Sequence, residues 1–414
     1  MTSKPVLLFL AHRIPYPPNK GDKIRSWNLI KHLSQSFSIH LGAFIDDKDD
    51  WQYASVLKEH CAECHFVSRH PVFHRLLSVS ALFSRTPMSV GYFKSRSMLR
   101  WVSSTVSKHE IERVFVFCSP MAQYVIDTDK RKFDSKSLLV DFVDVDSEKW
   151  RQYAKSRSWP LSLIYRREAS TLLAYECQVA KLARLSFFVS RPELELFNRR
   201  ASGCLTEKEK EQVDYFGNGV DTDYFAPDHT LSNPFPNGDL GIVFTGAMDY
   251  EPNITAVQYF TEEVFPQLRA SFPRLVFFIV GSNPTSAIKN LGKKDGVTVT
   301  GRVPDVRPYL QHALAAVAPM QIARGVQNKI LEALSMGVPV LASPEALTGI
   351  DPDESLMLLP HLNPSDYLKS TTDLIAKESK AETLRNERRS WVEANFAWRP
   401  QLAVVEESLA SNCS

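Results

Sequence analysis

The sequence predicts an α/β protein of two domains, each with a doubly wound parallel sheet at its centre. Its 414 residues are too many for one ordinary hydrophobic core and enough for two domains. Short apolar runs alternate with longer helical stretches along the chain, a pattern typical of parallel sheets that are covered on both faces. The segment 226–239, rich in Pro, Asn and Gly, separates two series of such runs and predicts a linker.

The first domain is predicted to span residues 1–225 and the second residues 240–395. Strands of the first domain are predicted at 6–11, 38–44, 64–67, 113–117, 138–142, 186–190 and 212–215, with helices such as 23–34 and 166–185. Strands of the second domain are predicted at 240–245, 274–280, 297–300, 315–318, 338–342 and 356–358, with helices at 253–270, 306–312, 329–336 and 364–390. Ligands of such sheets bind outside the carboxyl ends of the strands, so we expect a ligand cleft between the two Rossmann-like domains.

The composition is that of a soluble globular protein, with 44% hydrophobic and 23% charged residues. A formal net charge of +2 gives no field that would favour nucleic acid as a partner. No apolar run reaches the roughly 18–20 residues that span a bilayer, and six cysteines do not suggest a disulfide framework, so we expect a cytoplasmic protein. Residues 61–65 match the haem-attachment pattern C-x-x-C-H, but they open a strand-like run, and we expect a structural strand rather than a haem or zinc site.

The segment 324–340 carries the most specific pattern. A glycine-containing loop opens a helix that stops at Gly337 and leads into a strand. A helix N-terminus offers unpaired N–H groups and the positive end of a dipole, which suits a diphosphate. Lys329 adds a full positive charge, and Glu332 shares its helical face three residues later. Glu332 could accept hydrogen bonds from the two hydroxyls of a ribose, although an ordinary surface Lys–Glu pair has the same spacing.

Several segments then resemble a known family. Residues 332–340 read Glu-Ala-Leu-Ser-Met-Gly-Val-Pro-Val, and residues 218–225 read Asn-Gly-Val-Asp-Thr-Asp-Tyr-Phe. Together with 300–306 and the aromatic segment 396–398, they resemble glycosyltransferase family 4. Residues 13–18 with 21–25, 141–150 and 325–329 resemble more closely the exosortase (PEP-CTERM)-associated sugar transferases of that family.

This resemblance implies a GT-B fold, in which two Rossmann-like domains face an interdomain cleft and a C-terminal segment, 396–414, crosses back to the first domain. It implies a metal-independent hexosyltransferase that moves a sugar from a nucleotide-diphosphate sugar to a glycan or lipid-linked acceptor, with retention, in exopolysaccharide biosynthesis. The nucleotide sugar is a co-substrate, and no cofactor is expected. A nucleotide-sugar epimerase of the same architecture and a catalytically inactive donor-binding scaffold remain alternatives.

The resemblance also implies a set of donor-binding residues in the second domain: Gly246, Arg302, Val303, Arg324, Gly325, Gln327, Asn328, Lys329 and Glu332. Arg324 stands where many members of the family have a Glu that holds the transferred sugar. For this reason the catalytically inactive donor-binding scaffold remains an alternative. The loop 244–253 lacks the basic residues that often contact the diphosphate. We therefore expect Lys329 to meet the diphosphate charge, with help from Arg324 or Arg302.

Two segments of the first domain are candidates for the acceptor side. Asp144 and Asp146 follow a predicted strand, and either could accept the proton of the acceptor hydroxyl. An Asp-x-Asp pair also suits a divalent metal, but one such pair is weak evidence and no metal site is predicted; a structural turn is the other alternative. Gly21, Asp22 and Lys23 follow the first strand and are expected to start a helix, to form a loop over the donor phosphates or acceptor, or to do both.

The stretch 69–108 contains no acidic residue and mixes Arg and Lys with large apolar side chains. This composition fits contact with an anionic membrane surface, which would make the protein peripheral on the inner face of the membrane. The alternative is a solvated basic face that packs on the sheet through its apolar side.

Overall fold

A computed structural model describes residues 4–18, 20–69, 86–126, 138–236, 238–323, 326–350, 353, 356, 358–376 and 381–411. The chain divides into two compact units. Unit one comprises Met1–Gly217 together with Leu402–Ser414, and unit two comprises Asn218–Gln401. Arg324 and Gly325, two of the predicted donor-binding residues, lie outside the described residues, as do residues 70–85 of the basic stretch.

Unit one contains a seven-stranded parallel sheet with the order β3-β2-β1-β4-β5-β6-β7. Its strands are β1 Val6–Ala11, β2 Ser38–Ile45, β3 Glu63–Ser68, β4 Arg113–Phe117, β5 Leu138–Val143, β6 Leu185–Phe188 and β7 Val213–Tyr215. Its helices are α1 Gly21–Leu33, α2 Ala54–His60, α3 Met88–Tyr92, α4 Arg96–His109, α5 Gln123–Ile126, α6 Asp146–Ser156, α7 Leu161–Leu182, α8 Arg191–Arg200 and α9 Glu207–Lys210. The central strands are almost entirely apolar and buried, as expected where helices cover both faces of a sheet.

Unit two contains a five-stranded parallel sheet with the order β10-β9-β8-β11-β12. Its strands are β8 Leu240–Thr245, β9 Leu275–Val280, β10 Val297–Gly301, β11 Ala315–Ala318 and β12 Val340–Ala342. Its helices are α10 Glu251–Tyr259, which continues through a π-helical turn into α11 Phe265–Ser271, then α12 Ser286–Leu291, α13 Arg307–Gln311, α14 Asn328–Ser335, α15 Pro364–Ala376 and α16 Ala381–Phe396. A last helix, α17 Trp398–Ala410, leads into the C-terminal segment of unit one.

The two parallel sheets confirm the predicted α/β fold class. Twelve predicted strands are present, but 356–358 is not a strand of the second sheet: Leu358 only forms an isolated bridge with Asp353, and residue 357 lies outside the described residues. The segment from Asn218 to the predicted linker belongs to unit two. Its backbone pairs there, since Val220 N donates to the Phe396 carbonyl at 2.8 Å.

Helix α4 holds residues 96–108 of the basic stretch 69–108. Met98, Val102 and Val106 are buried against the sheet, while Arg100 and Lys108 face solvent. This arrangement is the one expected for a solvated basic face that packs through its apolar side. Among the described residues, no helix is long and apolar enough to cross a membrane.

The cysteines take structural positions. Cys64 lies in β3, as predicted for the C-x-x-C-H segment, and Cys61 is buried just before that strand. Cys177 and Cys204 form a disulfide, with Cα atoms 6.4 Å apart.

An ion pair between Arg25 of α1 and Asp141 of β5 lies inside unit one, and both side chains are fully buried. Arg25 Nε donates to Asp141 Oδ2 at 2.7 Å, and Nη2 donates to Oδ1 at 3.3 Å. The guanidinium also donates to the Phe216 carbonyl at 3.0 Å and lies over the Phe216 ring. Because a buried charge without its partner is costly, this pair fixes α1, β5 and Phe216 against one another.

Replacing Asp141 with Asn should lower the free energy of unfolding by about 3–5 kcal/mol, because it leaves the Arg25 charge buried without a carboxylate. Urea unfolding followed by circular dichroism measures the change. Asp295→Asn is the matched control, since the exposed Asp295 pairs with Arg269 at the surface, and it should change the free energy of unfolding far less. Equal effects of the two substitutions would contradict the importance of the buried pair.

Candidate functional site

The best-marked site of unit two lies at the start of α14. Buried Ile330, Leu331 and Leu334 fix one side of this helix in the core. Lys329 and Glu332 are therefore left on its less buried side. The helix stops as predicted at Gly337, whose φ of 75° favours glycine and where a Cβ atom would lie 2.8 Å from Arg385.

Lys329 forms no ion pair with the residues that the structure describes. Its Nζ donates to Asn253 Oδ1 at 2.7 Å, lies 3.9 Å from the centre of the Phe244 ring and 3.8 Å from Met320 Sδ. Phe244 belongs to β8, and Met320 follows β11, so the ammonium group lies at the carboxyl ends of two adjacent strands. Burial lowers the pKa of Lys329 to about 7, although the charge of Glu332 raises it in part.

Glu332 is the second charged group of this site. Burial raises its pKa to about 7, and the charge of Lys329 lowers it in part. Within the described part of the chain, the Glu332 carboxylate makes no hydrogen bond. Both of its oxygens are therefore able to accept hydrogen bonds from a ligand.

Asn253 is a residue that the sequence did not single out. Its Nδ2 donates to the Ala247 carbonyl at 2.9 Å, which directs Oδ1 towards Lys329. A Cβ atom on Gly246 would lie 2.7 Å from Asn253 Nδ2 and 3.4 Å from Lys329 Nζ. Gly246 is thus required next to the site because a side chain would displace this amide. Asn253 lies in the loop 244–253, which contains no basic residue to mark it as a site for a diphosphate.

The other predicted donor residues occupy different settings. Arg302 is exposed just after β10, and Val303 is half-buried against the core of unit two. Gln327 and Asn328 stand at the N-terminus of α14, where Asn328 is the first helical residue. The positive end of the α14 dipole lies in this first turn, beside Lys329, and adds to the positive potential there.

Unit one contains a cavity of about 390 Å³ at the carboxyl ends of β1, β4 and β5. It is lined by His12, Asp22, Ser89, Phe93, Cys118, Pro120, Phe142, Val143, Asp144, Asp146, Lys149, Trp150 and Tyr153. Aromatic side chains and carboxylates thus share one concave surface of a size that suits a small ligand. The cavity brings together Asp22 with Asp144 and Asp146, which were predicted from separate segments.

Asp144 and Asp146 share one cation. Lys149 Nζ lies 2.7 Å from Asp144 Oδ2 and 3.0 Å from Asp146 Oδ1. Burial lowers the pKa of Lys149, but the two carboxylates raise it more, so its net shift is upward. Either Asp must therefore part from a protonated lysine before it can act as a base. Lys149 itself was not predicted as a site residue.

Two residues that line the cavity have left-handed backbone conformations although neither is glycine. Cys118 has φ of 78° and Val143 has φ of 69°. Such conformations are unfavourable for side-chain-bearing residues and tend to occur at functional sites. Asp141 Oδ1 accepts a hydrogen bond from Val143 N at 3.0 Å, so the buried ion pair also supports this turn.

His12, at the end of β1, is a member of the cavity that the sequence did not favour. Its Nε2 lies 3.3 Å from Asp22 Oδ2, and Arg13 Nη1 donates to the same oxygen at 2.6 Å. Burial raises the pKa of Asp22, but the hydrogen bonds and charges of His12 and Arg13 outweigh it and hold that pKa well below its usual range. Asp22 thus stays ionised and orients the His12 ring.

The remaining residues of the predicted loop start helix α1. Gly21 is its first residue, and a Cβ atom there would meet nothing within 4 Å. Lys23 is buried, and its Nζ donates to Asp50 Oδ2 at 2.7 Å. Of the three, Asp22 alone lines the cavity.

Glu332→Gln should lower the pKa of Lys329 further, by about one pH unit, because the neighbouring negative charge that raises it is removed. The ¹³C NMR shifts of reductively methylated lysines, followed against pH, measure this value. Glu345→Gln, an exposed substitution in the same unit, is the control and should leave it unchanged. A wild-type Lys329 that titrates near the usual lysine pKa would contradict the described burial.

Comparisons with known proteins agree with this geometry. Residues 239–377 match the family model of "Glycosyl transferases group 1". The solved structure of HepE from Anabaena in complex with UDP is similar to this chain, with 14% identity, a TM-score of 0.66, and coverage of 98% of this chain and 100% of HepE. Sucrose-phosphate synthase from Thermosynechococcus elongatus is similar with 16% identity, a TM-score of 0.66 and 98% coverage of both chains.

WaaG, a glycosyltransferase involved in lipopolysaccharide biosynthesis, is similar with 12% identity, a TM-score of 0.60, and coverage of 98% of this chain and 100% of WaaG. No curated protein matches the chain significantly. The two parallel sheets with their helices therefore have the fold of GT-B glycosyltransferase structures.

Proposed function

We propose that this chain is a glycosyltransferase that moves a sugar from a nucleotide-diphosphate sugar to a glycan or lipid-linked acceptor. The observation that carries the proposal is the pairing of Lys329 and Glu332 at the start of α14, beside Asn253. All three residues lie in the segment that matches the group 1 glycosyl transferases. The Lys329 amine suits the diphosphate of a nucleoside diphosphate, and the Glu332 carboxylate, three residues later, suits its ribose hydroxyls.

The donor would bind through complementary charge. Burial lowers the pKa of Lys329 and so disfavours its protonated form. The negative charge of a diphosphate next to Lys329 would oppose this effect, so donor binding would favour the protonated ammonium group. Glu332 would accept hydrogen bonds from the ribose hydroxyls in its ionised form. Because HepE has been solved with UDP and with UDP-glucose, a uridine diphosphate sugar is the first probe.

The acceptor would bind in the cavity of unit one. Trp150 and Tyr153 offer flat apolar faces for sugar rings, while the carboxylates there can accept from hydroxyls. The His12–Asp22 pair is a candidate base for the acceptor hydroxyl beside Asp144 and Asp146, because its imidazole is not tied to a cation.

The finer parts of the proposal rest on the resemblance to family 4 and its exosortase-associated members. They are retention of configuration, hexosyl transfer that needs no metal, and a role in exopolysaccharide biosynthesis. An epimerase would need acid and base groups around the donor sugar. We favour the transferase because residues 239–377 match the group 1 glycosyl transferases.

Purified protein should release nucleoside diphosphate from one member of a panel of nucleotide-diphosphate sugars, and it should do so in the presence of a chelator. Lys329→Met should weaken donor binding at least about tenfold, because charge-assisted hydrogen bonds contribute about 1.5–3 kcal/mol each. Glu332→Gln should act in the same direction, and Glu345→Gln should have no effect.

An epimerised sugar nucleotide as the product would identify the epimerase instead. Donor binding without turnover, in the presence of glycan and lipid-linked acceptors, would identify the scaffold. Calorimetry for binding and chromatography of the products separate these outcomes.

We also propose that contact with an anionic membrane involves the connection between α6 and α7. Trp159 is 77% exposed there, and Leu161 and Leu163 are exposed beside it. Lys155, Arg157 and Arg166 are exposed around this connection. Exposed aromatic and basic side chains together suit the interface of an anionic bilayer. Tyr153 of α6 also lines the cavity, so a membrane bound at this surface would bring a lipid-linked acceptor close to the cavity.

In flotation with vesicles of phosphatidylcholine and phosphatidylglycerol, the wild-type protein should rise with the lipid at low salt. Trp159→Ser combined with Leu163→Ser should reduce the floated fraction several-fold. Leu362→Ser, which removes an apolar side chain that is 74% exposed in unit two, is the control and should float like the wild type. Wild-type protein that stays at the bottom of the gradient would contradict membrane contact.

A further inference from the structure

His40, Glu63 and His109 meet at the edge of the first sheet where its strands begin. His40 is near the start of β2, Glu63 is the first residue of β3, and His109 is the last residue of α4. His40 Nδ1 lies 3.3 Å from Glu63 Oε2, and His109 Nε2 lies 4.0 Å from the same oxygen. The two imidazole rings are in contact, with centroids 4.4 Å apart.

Two ring nitrogen atoms of this group have no partner outside it among the described residues. His40 is 4% exposed, and both His40 Nδ1 and His109 Nε2 are buried. They share one Glu63 oxygen at 3.3 Å and 4.0 Å, so both nitrogens and that oxygen are able to turn towards a common ligand. None of the three residues takes part in the proposed transfer.

The carboxylate is already oriented by a neighbour. Trp101 Nε1 donates to Glu63 Oε1 at 2.7 Å, which leaves Oε2 directed towards the two imidazoles. Hydrogen bonds from outside the ligand set hold metal-binding carboxylates in this manner. The half-exposed Glu63 side chain also leaves a path from solvent.

The spacing agrees with a transition-metal ion. Bonds of about 2.0–2.1 Å in a tetrahedron separate two ligand atoms by about 3.3–3.4 Å. The ligand atoms of the three residues all lie within 4.8 Å of one another, so small side-chain rotations would complete the set. Two imidazoles and one carboxylate suit Zn²⁺ and its neighbours rather than Mg²⁺ or Ca²⁺, which prefer oxygen ligands. The charge of the nearby Lys108 opposes a cation here, so the site would have moderate affinity.

We propose that His40, Glu63 and His109 form a binding site for Zn²⁺ or a similar transition-metal ion, with a fourth position for water. The ion would tie β2, β3 and α4 together at the edge of unit one. The cavity lies at the opposite, carboxyl ends of the strands of this sheet, so the ion stabilises the fold and takes no part in sugar transfer.

The full-length protein, stripped of metal with a chelator and then dialysed, is titrated with ZnCl₂ by calorimetry and with Co²⁺ by visible absorption. We expect one ion per chain, a Co²⁺ spectrum with the intense d–d bands of a site with imidazole ligands, and a rise in Tm with Zn²⁺. His109→Gln and Glu63→Gln should each weaken binding at least tenfold. Circular dichroism shows whether these variants fold.

His32→Gln is the matched control, because His32 pairs with Glu406 at 2.7 Å in the same unit. It should bind Zn²⁺ like the wild type. Equal Zn²⁺ affinity of wild type, His109→Gln and Glu63→Gln would overturn the proposal, as would a wild-type protein that binds no ion. Donor turnover that survives the chelator, while Tm falls, is expected and separates this site from the transfer reaction.

Discussion

The buried ion pair between Arg25 and Asp141 is the contact on which the carboxyl edge of the first sheet depends. Asp141 accepts from Arg25 of α1 and, through Oδ1, from the backbone N–H of Val143. Neither charge is tolerable in the core without the other, so the helix and the strand keep a fixed relation. That relation sets the places of Asp22, which lies three residues before Arg25, and of Asp144, which follows Val143. The positions of these cavity residues therefore depend on the buried Arg25–Asp141 ion pair.

The two lysines of the candidate sites have opposite electrostatic surroundings. Lys149 lies between two carboxylates, which raise its pKa, so it remains charged and satisfied within the protein. Lys329 is held by the amide of Asn253 and the ring of Phe244, and burial lowers its pKa. A positive group that pairs with no carboxylate among the described residues is suited to bind an anion from solution. The contrast agrees with the proposed role of Lys329 in donor binding and with a structural role of Lys149 in the cavity.

The sequence predicted the sheets well because central parallel strands are continuous apolar runs, a local signal. It failed at 356–358, where an apolar run of three residues pairs only through Leu358 and does not join the sheet. It paired Lys329 with Glu332 because both lie on one short helix. It missed Asn253, which is 76 residues away from Lys329, and it did not foresee that Lys23 would be buried against Asp50. Contacts of this kind depend on strand order, which local patterns do not encode.

Strand direction divides the roles within unit one. In a parallel sheet every strand begins at one edge and ends at the other, so residues that open strands cannot meet residues that close them. His40 and Glu63 open their strands, whereas His12 and Val143 lie where theirs end. His40 and Glu63 lie with His109 at the edge where the strands begin. His12 and Val143 line the cavity at the opposite edge, where the strands end. An ion at the first edge can therefore change the stability of unit one without contact with the groups that would bind and activate an acceptor.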